Sequence, residues 1–195
     1  MHFYLEYLIN WLSRPKTIEG FAKKIIFSIK HFTLKCCMDP KFRTLIGYDK
    51  MTEDGQADIL REMTVNATCF TIMTLQGLAE IAKSPTYSKF FSFVALEVRS
   101  CYGNFLKDKN FDLETINRWN DNIIKRLDDF KIVFKKNQKE LKPMPKDNPW
   151  VYVSIVTLMA YLRNNKEIKD DPLFSYLETW NANIENETLK ILKTT

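Results

Sequence analysis

The sequence predicts an all-α protein, a single-domain helical bundle of about six or seven helices built around a buried central helix at residues 56–83. Three observations carry this. Apolar residues recur at three- and four-residue spacing along most of the chain. Five glycines and seven prolines among 195 residues are too few for turn-dense β architecture. Most helical patterns open on a capping side chain, a proline, or both.

In chain order, Phe3, Leu5, Leu8, Ile9 and Leu12 predict a short amphipathic helix that stops near Ser13 and docks on the core. Glu6 and the following Arg14-Pro15-Lys16 set this stretch apart from a signal peptide. The next helix is expected from Thr17 to Cys37, with Ile18, Phe21, Ala22, Ile25, Ile29 and Phe32 on one face. Lys23, Lys24, Lys30 and Lys35 lie mostly off that face, while Ile26 and Phe27 widen the apolar arc beyond one docking surface. Residues 1–38 thus read as basic amphipathic N-terminal helices of the domain.

Asp39-Pro40 matches an N-cap followed by a first-turn proline, so a helical turn is expected there. Residues 43–52 read as irregular, punctuated by Gly47. Thr52, Glu53 and Asp54 supply a cap and two first-turn acids to the central helix, where the macrodipole favours them.

The central helix contains a seventeen-residue run without charge, Met63 to Ala79, closed by Glu62 and Glu80. Leu60, Met63, Ala67, Phe70, Leu78 and Ile81 form one stripe, and Ile72, Leu75, Ala79 and Ala82 a second. A helix apolar nearly all round belongs in the middle of a fold. Thr64, Asn66, Thr68, Thr71 and Thr74 make it too polar to span a bilayer, and threonine hydroxyls can bond back to the preceding turn. Gly77 costs about 1 kcal/mol relative to alanine in a helix interior, which implies close approach of a neighbouring helix.

Ser84-Pro85 opens a third long helix carrying Tyr87, Phe91, Val94, Val98 and Phe105, with Gly103-Asn104 suited to end it. Asp112 caps a fourth, with the stripe Ile116, Trp119, Ile123, Leu127, Phe130 and Phe134 running to about Lys139. Residues 141–149 hold three prolines and form a connector within the domain. Asn148-Pro149 starts an uncharged run to Leu162. Its Val151, Val153, Ile155 and Val156 suit a strand, but its length favours a buried helix. Asp171-Pro172 opens the last helix, with Leu173, Leu177, Trp180, Ile184, Thr188 and Ile191 as its stripe.

Composition narrows function. With only His2 and His31, the chain lacks the histidines of catalytic triads, of helical di-iron sites and of paired-histidine zinc motifs. It has neither of the glycine-rich phosphate-binding loops. Cys36, Cys37, Cys69 and Cys101 show no paired metal spacing and read as buried free thiols, which points to a reducing, cytoplasmic setting. No catalytic, cofactor-binding or metal-binding residues are expected, and no cofactor. Glu97, with apolar flanks, is the one carboxylate whose burial would suit acid–base work.

The net charge of +5 is confined to the first quarter. Residues 1–50 hold nine Lys/Arg against four Asp/Glu, and the remainder holds twenty of each. The expected function is therefore non-enzymatic binding of another macromolecule, a protein with an acidic surface, in an inhibitor, immunity, adaptor or complex-subunit role. Lys23, Lys24, Ile26, Phe27 and Lys30 are the expected contacts. One alternative is backbone binding of nucleic acid through basic faces at 14–50 and 125–146, the latter presenting Lys125, Arg126, Lys131, Lys135, Lys136 and Lys139. A second alternative is peripheral membrane attachment through residues 3–34.

Overall fold

The computed structural model describes residues 17–108, 110–138, 148–163 and 171–193. The expected helix at 3–13, Lys139 and most of the 141–149 connector lie outside these. Seven α-helices, and no strand, occur among the described residues: α1 (Ile18–Met38), α2 (Pro40–Ile46), α3 (Glu53–Ile81), α4 (Pro85–Asp108), α5 (Leu113–Gln138), α6 (Pro149–Leu162) and α7 (Pro172–Leu192).

Local chemistry sets where these helices begin. The Thr17 hydroxyl accepts from the Gly20 N–H, Asp39 from Lys41 and Phe42, and Thr52 from Gly55. Asp112, Asn148 and Asp171 likewise accept from Thr115, Trp150 and Leu173. Each bond satisfies a backbone donor that the first helical turn leaves open.

Packing then arranges the long helices as a ring. α1 contacts α4, α4 contacts α5, α5 contacts α6, α6 contacts α7, and α7 returns to α1. α3 passes through the ring and touches all five. This is why its apolar residues spread round the whole circumference: every residue from Glu62 to Leu75 is buried. The threonines behave as expected, with Thr64 donating to the Leu60 carbonyl at 2.7 Å and Thr68 to Thr64 at 2.8 Å. Two differ: the buried Thr71 hydroxyl is without a hydrogen-bond partner, and Thr74 Oγ1 accepts from Asn148 Nδ2 at 3.1 Å. Gly77 faces Trp150 of α6, but a Cβ there would meet the indole Nε1 at 3.5 Å, an ordinary van der Waals contact, so the expected close approach does not itself demand glycine. Trp150 stacks in turn on Phe134 of α5, centroids 4.7 Å apart.

Residues 148–162 form the buried helix α6, as length implied, and its β-branched residues pack inside the ring with Val153 and Ile155 fully covered. Two local expectations are corrected. Residues 43–52 are largely helical: α2 continues to Ile46, Gly47 closes it with φ of 67°, and a 3₁₀ turn spans Tyr48–Lys50. Arg43 holds this corner by pairing with Asp49 and lying over the Tyr48 ring, contacts that carry no helical periodicity. Gly103-Asn104 does not end α4, which runs on to Asp108. Gly103 instead faces the Asn120 side chain of α5, which a Cβ there would meet at 3.7 Å, an ordinary contact.

One ion pair ties the far end of the bundle. Arg163, after α6, pairs with Asp171 at 2.7 Å and donates to the Leu45 carbonyl of α2 at 2.9 Å. The hydrogen bond from Arg163 holds the Asp171 carboxyl below its usual range, so this link favours the fold above the ordinary carboxylate pKa and weakens as pH falls through the lowered one.

Candidate functional site

Among the inward-facing positions of four helices, a few are polar, and the ring brings them into one line. On α5 the buried stripe Trp119, Ile123, Phe130 is interrupted by Arg126, three residues after Ile123. On α3, Glu62 and Asn66 occupy successive inward turns. Arg126 donates through Nη2 to Glu62 at 2.5 Å and through Nη1 to Asn66 Oδ1 at 3.3 Å. Asn66 Nδ2 donates to Ser154 Oγ of α6 at 2.7 Å and to the Ser154 carbonyl at 3.3 Å. Asn181 of α7 donates to the same Oγ at 3.2 Å. Asn66, Ser154 and Asn181 are completely buried. The line thus runs from a largely buried ion pair, its side chains 11% and 12% exposed, to the centre of the protein.

Its outer end opens into a cleft of about 570 Å³ between α5 and α6, floored by α3. α5 and α6 pack closely where Phe134 meets Trp150, and the cleft lies further along, towards Asn122 and Tyr161. Glu62 and Arg126 form the floor, Lys125 and Asp129 flank it, and Ile132, Val133 and Val156 supply an apolar wall. Burial, then the Glu62 and Asp58 carboxylates, raise the Tyr161 phenol, so at neutral pH it remains a hydrogen-bond donor.

A second surface lies across α5, on its α4 side. Phe93 and Leu96 of α4 are 54% and 61% exposed, and Phe111 and Leu113 at the start of α5 are 49% and 71% exposed. Large apolar side chains concentrated in this way are uncommon on a free surface. Leu96, Phe111 and Leu113 edge a groove of about 710 Å³. Arg99 and Lys107, both exposed, line it, and its described lining residues include no carboxylate.

No known protein family, curated protein or solved structure matches this chain.

The sequence-predicted contacts fare unevenly. Ile26 is 3% exposed and belongs to the core, because α1 touches α3, α4 and α7 and needs the wide apolar arc for folding. Phe27, Lys24 and Lys30 are half-buried, and Lys23 is exposed and paired with Glu19 at 2.5 Å. Of the apolar surplus of α1, Ile26 is thus spent within the bundle, while Phe27 keeps part of its surface open. On α5, Lys125, Lys131, Lys135 and Lys136 are exposed, but Arg126 turns inward to Glu62 and leaves the basic face. At about 100° per residue, Lys125 and Lys136 share one edge of the helix while Lys131 and Lys135 lie on another. Lys131 also pairs with Asp128 at 3.1 Å. Glu97 is half-buried and accepts a hydrogen bond from the Cys101 thiol at 3.4 Å. No described helix is long and apolar enough to cross a membrane.

The four cysteines are unbridged and buried. Burial raises all four thiols, Cys37 to about 11 and Cys101 to about 12, with Cys36 and Cys69 higher still. Thiolate is the reactive form. At pH 8 the native protein should therefore react slowly with a disulfide reagent and faster as pH rises towards 11, whereas denatured protein should titrate four thiols at once. Two or more fast thiols at pH 8 in folded protein would contradict the burial.

Proposed function

We propose that the protein acts by binding another protein, and that the contact is the groove between α4 and α5 rather than the lysine side of α1. The exposed quartet Phe93, Leu96, Phe111 and Leu113 carries this reading. These residues are spent on no helix of the ring, although α1, α3 and α5 bury Val94, Ala95, Val98, Cys101, Tyr102 and Leu106 of α4. The groove edges chosen by Leu96 and Leu113 suit an amphipathic helix laid in apolar-face down. Arg99 and Lys107 beside it favour a helix with acidic residues flanking its apolar stripe. Inhibitor, adaptor and complex-subunit roles all use such a surface.

The double change Leu96→Glu with Leu113→Glu tests it. Both side chains are mainly in solvent, so stability should stay within about 0.5 kcal/mol for each change. Tagged wild-type protein should retain a specific protein from its host's extract, and the folded double variant should lose it at least tenfold. Equal retention by both would overturn the assignment. If light scattering shows a wild-type dimer that the variant dissolves, the groove is a self-association surface instead.

A further inference from the structure

We infer that the cleft over the Glu62–Arg126 pair is a binding site for a small zwitterion with an apolar side group, an apolar α-amino acid. It is separate from the α4–α5 groove and does not depend on it. Three features converge on this chemistry.

The first is charge that the fold leaves open on both sides of the cleft. Lys125 and Asp129 are four residues apart on α5, where opposite charges often pair. Here they do not. Lys125 makes no ion pair among the described residues, and Asp129 reaches only Arg126 Nε, at 4.0 Å, too long for a hydrogen bond. The base precedes the acid, the weaker order for an intrahelical pair. The cleft therefore holds, within about one helical turn, a cation and a carboxylate that are open to solvent and have no close ion-pair partner among the described residues. With Glu62 and Arg126 the lining is balanced, two of each sign, so a ligand of net charge would meet repulsion as well as attraction. A carboxylate and an ammonium on one carbon can answer both.

The second feature is pre-organisation. Arg126 gives one N–H each to Glu62 and Asn66, and a guanidinium has five. Asn66, held by buried Ser154, which Asn181 holds in turn, keeps Arg126 in place while N–H groups remain for a ligand carboxylate. A buried ion pair is often no more stabilising than apolar residues of the same volume, so folding alone does not require this one.

The third is the wall. Ile132, Val133 and Val156 border the same space and offer an apolar side group somewhere to lie.

The probe is L-phenylalanine, with 3-phenylpropionate and 2-phenylethylamine as analogues that each keep one charge. The full chain should show saturable binding by calorimetry, with a melting rise of about 3–5 °C at tenfold the dissociation constant. Each analogue should bind at least tenfold more weakly. Lys125→Gln with Asp129→Asn alters two groups at the cleft rim, should leave melting without ligand nearly unchanged, and should abolish the shift. Three results would each overturn the inference: no binding of L-phenylalanine, L-leucine or L-methionine at 10 mM, equal binding of 3-phenylpropionate, or an undiminished shift in the folded double variant.

Discussion

Arg126→Leu should cost about 3–5 kcal/mol, and adding Glu62→Leu should return stability to the wild-type level or above it. The single change strands the Glu62 carboxylate on the inner side of the ring, where its side chain is 12% exposed and its partner had been 2.5 Å away. Asn66 Oδ1 loses its donor as well. A buried charge without a partner is among the most damaging defects a core can carry. The second change removes that charge and places two leucines between Ile123 and Phe130 on one side and Met63 on the other, where apolar contact is available. Urea denaturation of the two single variants and the double variant gives the coupling energy directly. Should Arg126→Leu cost less than about 1 kcal/mol, the pair is behaving as a surface ion pair and the line of polar groups does not depend on it.

Phe70→Ala should lower stability by about 3–5 kcal/mol. Phe70 is completely buried at the middle of the helix that the other five long helices enclose. A ring of five supports surrounds the hole left by the benzyl group, and none can move inward without losing its contacts with two neighbours. Cavities that cannot collapse lie at the costly end of the range. For a chain of this size the loss corresponds to a melting decrease of roughly 10 °C, read by calorimetry. A loss below about 1 kcal/mol would place Phe70 outside the tightly packed region.

Much of this was legible beforehand, and the reasons are local. The capping residues from Asp39 to Asp171 act within three residues of themselves, so their roles are visible in order along the chain. The enclosed position of α3 followed from its uncharged run with apolar residues on all sides. α6 was legible by length even though its valines and isoleucines favour strands. Features that depend on several helices at once have a different character. Periodicity assigns Ile26 to a partner, because an arc wider than one docking surface looks like surplus, but α1 packs on three long helices, α3, α4 and α7, besides the short α2. Composition groups Arg126 with the lysines around it, because charge alone carries no direction. Only its register, three residues after Ile123 in the buried stripe, hinted that it points inward.

What the sequence determined by itself is the set of helices, their starts, and which of them lies innermost, because caps, prolines and apolar periodicity act over a few residues. The tertiary structure alone decided the rest. It placed Glu62 of α3, Arg126 of α5, Ser154 of α6 and Asn181 of α7 in one hydrogen-bonded line, and it left Phe93, Leu96, Phe111 and Leu113 uncovered. Glu62 and Arg126 are sixty-four residues apart. No periodicity spans that distance, and whether a polar side chain meets a partner or an apolar one meets solvent depends on the order in which five helices close round the sixth.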